Sequence, residues 1–250
     1  MQREATCEDS SVPKELEPAL TRIFREDCGR ADAAELARRL TQLFETDGPC
    51  SPRARDLLVA SGARTQWNRA LSAERSRVLA ATIAPLLSGR VADVLSGDGT
   101  LTKAISSHGD VVAYERVGAY PTPPAHPTRP FDEFTNIAPG GFDTLLVSTV
   151  LHHEDGLDEL LHKLASARAE RWIVVENSVT EQAPVALHEF VDLFFTHTLN
   201  DFALACPGQH RTVEGWTSIL GAYGTVRLHA QLQRVPGIPF SYELFVVETR

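Results

Sequence analysis

Two places in the chain gather side chains suited to moving protons and holding polar ligands. His152 and His153 are adjacent in LHH, just after the apolar run DTLLVS (residues 143–148). Glu176 and Asn177 end a second apolar run, RWIVVE (residues 171–176), and His188, His210 and Arg211 follow. Histidine is the side chain that changes charge nearest neutral pH, so it suits taking a proton from an alcohol, phenol or ammonium group. A carboxylate at the position of Glu176 can bind an amine or guanidine, or orient a neighbour. A third place, VADVLSGDGTLT (residues 91–102), does different work. Val91, Val94 and Leu95 read as a buried strand, Ser96 to Gly99 as a turn, and Thr100 onward as a helix. Glycine lets the backbone turn sharply and approach a ligand with no Cβ in the way. The free N–H groups of the helix start suit an anionic group. The next apolar run, VVAYE, closes on an acid, Glu115. Strand, glycine turn, helix, strand and acid is how an open α/β sheet holds a nucleoside cofactor.

These residues need a scaffold, and from Gly89 onward strand and helix patterns alternate, as in a parallel sheet flanked by helices. Strands are predicted near 90–95, 111–115, 143–148 and 171–176. Helices are predicted near 99–107, 155–168, 181–200 and 211–222. The end of the chain reads as two strands joined by RVPGI, an antiparallel pair at the C-terminal edge. Residues 117–130 carry five prolines, Pro121, Pro123, Pro124, Pro127 and Pro130, which no helix can run through. That crossover is expected to be an irregular loop, with a short third strand near Phe131–Phe134. The fold class is therefore α/β: a Rossmann-like open, mostly parallel sheet with an antiparallel C-terminal edge strand, preceded by an all-helical region. Residues 1–13 read as a flexible N-terminus, 14–88 as helices and 89–250 as the sheet domain with a helical insertion at 178–222. The N-terminal helices have two candidate roles, packing or homodimerisation on one hand and covering a substrate pocket on the other. Gly48, Pro49, Ser51 and Pro52 break them, with Ser51 placed to cap the next helix. Phe190, Phe194, Phe195 and Phe202 in the insertion suit either a core or an apolar lid.

Composition narrows the partners. The 250 residues carry a formal net charge of −9, which argues against a nucleic-acid substrate, since phosphate binding needs a basic surface. No apolar run reaches the length of a membrane span, and MQREATCEDSSVPKELEP lacks the apolar core of a signal peptide. Cys7, Cys28, Cys50 and Cys206 have no metal-like spacing and read as reduced thiols of a cytoplasmic protein. No H-x-H or H-x₃-H spacing marks a metal site, so none is expected.

The glycine turn narrows the cofactor. A P-loop would need G-x-x-x-x-G-K-[ST], which is absent from residues 91–104. A dinucleotide turn would need a third glycine, where this chain has Thr102. The chain instead resembles the class I S-adenosylmethionine-dependent methyltransferases, of small-molecule type. Their first motif resembles V-L-D-x-G-x-G-x-G; Asp93, Gly97 and Gly99 match it, and Leu95 stands where its first glycine is expected. FDTLLVSTVLHHEDG (142–156), RWIVVEN (171–177) and HRTVEGWTSILGAYG (210–224) are similar to later family segments, in the same order.

That resemblance implies S-adenosylmethionine as cofactor and S-adenosylhomocysteine as product. It implies that Ser96, Gly97 and Gly99 pass close to the methionine part, that Asp93 holds its amino group and that Glu115 accepts both ribose hydroxyls. Asp132 lies near the family's adenine-contacting acid, with Glu133 as a rival, and Ser148 ends the fourth strand facing the cofactor. His153 and His152 are the candidate bases, and Glu176, Asn177, His188 and Arg211 the candidate acceptor contacts. At Leu95 the backbone is either in ordinary β conformation or the site has altered. The expected function is methyl transfer to an O or N of a small molecule, of the kind met in specialised metabolism. Two alternatives stay open: a cofactor-binding cyclase or decarboxylase, and a catalytically silent methyltransferase-like partner.

Overall fold

The computed structural model describes residues 11–119, 123–200, 206 and 208–249. Tyr120, Pro121, Phe202 and Cys7 lie outside them. Seven strands form one sheet in the order β3-β2-β1-β4-β5-β7-β6. They are β1 Arg90–Val94, β2 Asp110–Glu115, β3 Thr128–Pro130, β4 Thr144–Ser148, β5 Arg171–Asn177, β6 Gly224–Leu232 and β7 Tyr242–Thr249. Strands β1 to β5 pair in parallel, whereas β7 pairs antiparallel with both β5 and β6. The antiparallel pair expected at the C-terminal end is present, with β7 inside and β6 on the edge. The third strand is not Phe131–Phe134. It is Thr128–Pro130, and Phe131 begins a short helix because Pro130 supplies the fixed φ of a helix entry while Phe131 and Phe134 turn to one buried face.

Helices cover both sheet faces. On one lie the N-terminal helices α1 Leu16–Arg22, α2 Ala33–Asp47, α3 Pro52–Ala60, α4 Ala63–Arg69 and α5 Arg75–Ile83, with α6 Thr100–Ile105. On the other lie α7 Phe131–Thr135 and α8 Leu157–Ser166. The insertion contributes α9 Val185–Leu193 to the first face, and α10 Val213–Leu220 packs on the second. Ser51 caps α3 as expected, accepting the Ala54 N–H at 3.1 Å. A π-helical turn, Ala70–Glu74, joins α4 to α5.

The N-terminal helices share their core with the sheet. Leu16, Phe24, Leu40 and Trp67 belong to the same buried cluster as Val91, Ile173 and Val246. Phe44 meets Phe190 and Phe194 edge-on at ring distances of 5.4 and 5.1 Å, and the Trp67 indole N–H donates to the Gly237 carbonyl at 2.9 Å. Phe190 and Phe194 are therefore core, whereas Phe195 borders the cavity described below. Cys28 and Cys206 are buried thiols, but Cys50 is disulfide-bonded, against the expectation of reduced thiols throughout. Local spacing cannot report a bridge closed by the fold. No helix among the described residues is long and apolar enough to cross a membrane.

Candidate active site

A cavity of about 660 Å³ opens at the C-terminal ends of β1, β2 and β4. That is where an α/β sheet binds ligands. Its floor at one end is the turn after β1, and here Leu95 explains itself. A strand sends successive side chains to opposite faces. Val91 points into one core cluster, Ala92 and Val94 into the other, and Leu95 should point back toward the cavity. Its φ is +58°, in the left-handed region, and its side chain joins Val94 in the second cluster instead, 4% exposed. The leucine thus adopts the conformation expected of the missing glycine. It is not in β conformation, and it still borders the cavity. Left-handed backbone costs a branched residue about 1–2 kcal/mol, and burial of the side chain offsets it.

Gly97 and Gly99 also have positive φ, 64° and 74°. At Gly99 close packing adds a second reason: a Cβ would lie 3.0 Å from the His126 backbone nitrogen. The proline-rich loop folds over the turn there, with the Ala125 N–H donating to the Asp98 carbonyl at 2.7 Å. Glu115, at the end of β2, accepts the Gly97 N–H at 2.6 Å and the Arg116 N–H at 2.7 Å, one on each carboxylate oxygen. Burial raises the Glu115 carboxyl above its ordinary range. Asp93 is buried at the cavity wall and accepts the Thr102 hydroxyl at 2.6 Å. Burial pushes its carboxyl up to about 7, against that hydrogen bond. Arg116 makes a two-pronged ion pair with Glu154, at 2.7 and 2.6 Å, tying the loop after β2 to the turn after β4.

The other end of the cavity is assembled from distant segments. Glu176, wholly buried, accepts the Val150 and Leu151 N–H groups at 2.9 and 2.7 Å on one oxygen. Its other oxygen lies 2.6 Å from His152 Nδ1. This carboxylate fixes the whole 3₁₀ turn Leu151–His153, so Glu176 positions the histidines rather than facing the cavity. His152 Nε2 is 3.8 Å from Asp192 Oδ2, and His210 Nε2 is 3.1 Å from the same oxygen. Burial alone would lower His152, but the Glu176 and Asp192 carboxylates outweigh it and hold the imidazole up to about 9. For Asp192 burial alone would raise the carboxyl, and His152 and His210 instead keep it below the ordinary range. His188 is buried against Phe240, ring centroids 4.0 Å apart, and burial drives its imidazole down to about 3.

The structure thus brings Asp93, Ser96, Gly97, Glu115, Ser148, His152, His153 and Asn177 to one cavity. Gly99 closes the turn without bordering the cavity. Asp132 is exposed on the first turn of α7, and neither it nor Glu133 borders the cavity. His188 sits behind His210, at 4.9 Å between rings, and Arg211 stacks over Trp216 at 5.6 Å. Asp192 was not anticipated. Arg64, Asn68, Ser72 and Arg75 put the N-terminal helices against the cavity, one of the two roles expected of that region, though these residues were not singled out. Asp192 had a sequence signal: it stands four residues after His188 inside the apolar helix VALHEFVDLFF, where a charge is costly unless paired.

No family model matches the chain, and no curated protein does. Among solved structures, the CurJ carbon methyltransferase superposes with a TM-score of 0.51, covering 95% of this chain and 71% of that one at 13% identity. The chain shares its fold with this carbon methyltransferase. Two further matches are the mitomycin 7-O-methyltransferase MmcR (19% identity, TM-score 0.49, 95% and 74% covered) and PigF with SAH (15% identity, TM-score 0.48, 95% and 94% covered).

Proposed function

We propose that this chain is an S-adenosylmethionine-dependent methyltransferase acting on an O or N of a small molecule in specialised metabolism. The observation that carries this reading is the turn from Leu95 to Gly99 held onto Glu115. Three left-handed residues turn the chain sharply at the end of β1, two of them glycines with no side chain, and a carboxylate stands at the end of β2. Each Glu115 oxygen accepts one backbone N–H and keeps a lone-pair direction for a ribose hydroxyl. Ser96 Oγ is buried at the cavity with no hydrogen-bond partner among the described residues, which a polar ligand there would supply. These residues fit the cofactor.

S-adenosylmethionine supplies a methyl group on a positively charged sulfur, open to in-line displacement. In this reading Glu115 holds the ribose and Asp93 the amino group, directly or through water. Ser96, Gly97 and Gly99 flank the methionine part, and Ser148 faces the cofactor from β4. An arriving ammonium ionises Asp93, whose carboxyl burial has raised. Asp132 has no part, since it lies off the cavity. The acceptor occupies the end lined by His152, His153, Asn177 and the N-terminal helices. Alignment there can contribute up to about 7–11 kcal/mol. His153 acts on the acceptor's proton, with Glu176 fixing the turn and the His152 imidazolium, held by Glu176 and Asp192, beside it. The fully buried Leu79, with Phe195 and Phe240, makes the apolar wall that keeps water from the sulfur. The small cavity and the net charge of −9 support a small acceptor over a nucleic acid.

The test is to incubate the protein with S-adenosylmethionine and pools of phenols, hydroxy acids and amines, and to measure S-adenosylhomocysteine with the matching methylated product. The proposal expects both together from at least one pool. Cofactor that binds but returns unchanged from every pool would contradict methyl transfer.

A further inference from the structure

The acceptor end holds more ligating groups than a proton acceptor needs. His152, His153 and Asp192 each offer one ligand atom, and the three atoms lie within 4.8 Å of one another. All three residues border the cavity. Two come from the turn after β4 and one from α9, so the group is a product of the tertiary fold. The surroundings are those of a ligand set. Glu176 accepts at 2.6 Å from His152 Nδ1, so Nε2, the atom facing Asp192, is the one that an incoming ion takes in exchange for its proton. A carboxylate behind an imidazole is the usual support of a metal-bound histidine. Asp192 is steadied by His210, 3.1 Å from the same Oδ2, and His210 in turn by Asn177 at 3.3 Å. Charge points the same way. Glu176 and Asp192 are two buried carboxylates in one cluster, and buried charge persists where it is paired. One divalent cation, displacing the His152 proton, balances both.

We propose that His152, His153 and Asp192 bind one divalent transition-metal ion whose open side faces the cavity. Two imidazoles and one carboxylate favour ions of the zinc, cobalt and iron(II) kind over magnesium or calcium. The ion site stands independently of the methyl-transfer reading; what its open side holds rests on that reading. There it takes an oxygen of the acceptor. A hydroxyl held by the ion is more acidic, so its proton passes to cavity water while its oxygen stays in place to receive the methyl group. His152 and His153 then act on the proton as ligands, through the ion.

The experiment titrates untagged, chelator-treated protein with Co²⁺ and follows the visible d–d absorption, without cofactor or acceptor. The expected result is one Co²⁺ per chain, displaced by Zn²⁺. Glu176→Gln should weaken binding by about 10- to 100-fold. Asp192→Asn and His153→Gln should each weaken it at least as much, with folding verified by circular dichroism. His153→Gln keeps the test usable if Asp192→Asn does not fold. The surface variant His162→Gln should bind as the parent does. Absence of stoichiometric binding, or binding that survives the His153 and Asp192 changes, would overturn the proposal. Failure to bind S-adenosylmethionine would sink the functional reading and leave this titration untouched.

Discussion

The two ends of the cavity are built differently. The end at β1 and β2 is mostly backbone: a turn of left-handed residues, two N–H groups on Glu115, and a loop closed over Gly99. The end at β4 and β5 is mostly side chain, with Glu176, His152, Asp192 and His210 converging from segments far apart in the chain. The first draws on one nearby stretch, from Asp93 to His126, and the second exists only once α9 and the N-terminal helices have docked. The cofactor end should therefore respond to few substitutions, and the acceptor end should change without disturbing it.

The largest effect should come from Glu115→Ala. Losing a charged acceptor for two ribose hydroxyls, at about 1.5–3 kcal/mol for each hydrogen bond to a charged group, should weaken S-adenosylmethionine binding by about 100-fold or more in calorimetry. Unchanged affinity would mean the ribose lies elsewhere.

Leu95→Gly separates conformation from packing. Glycine relieves about 1–2 kcal/mol of backbone strain, but removing a buried leucine side chain costs about 3–5 kcal/mol. Burial wins, so the variant should lose about 2 kcal/mol in denaturant unfolding while its cofactor affinity stays within about threefold. A stabilised variant would show that Leu95 contributes little to the core.

The pH dependence of binding comes next. Asp93 is raised to about 7, and the cofactor's ammonium favours its ionised form. As pH falls below about 7 the carboxyl takes up a proton that binding must expel. Affinity should therefore drop by up to about tenfold per pH unit, and flatten above that value. Proton release, read from calorimetry in buffers of different ionisation enthalpy, checks the sign. Asp93→Asn should abolish the dependence.

The smallest effect on the cofactor should come from Asp192→Asn, which belongs to the other end. Cofactor affinity should stay within about twofold. The His152 imidazole, followed by NMR in metal-free protein, should titrate lower than in the parent, because one of the two carboxylates that raise it is gone. A large loss of cofactor affinity would show that the ends are coupled.

The same contrast sets what the sequence reveals. Asp93, Gly97, Gly99 and Glu115 were legible because backbone turns and strand ends are local patterns, and the sheet followed from alternation of strand and helix. Leu95 was legible as a departure, but not its outcome, since a left-handed φ in a leucine depends on the core that receives its side chain. Asp192 was hidden in an apolar helix. Covering a pocket was one of two roles read for the N-terminal helices, but which of their residues would face it, Arg64, Asn68, Ser72 and Arg75, is a tertiary property. Asp132 shows the converse. Its spacing suited a cofactor contact, but the loop after β2 leads to a helix that turns it to solvent.

The central claim is that the turn after β1 and the acid after β2 bind S-adenosylmethionine. Calorimetric titration of the intact protein with that compound tests it most directly. The account predicts one site per chain with a dissociation constant on the order of micromolar, within the usual range for enzyme substrates. Absence of binding at millimolar ligand would contradict it.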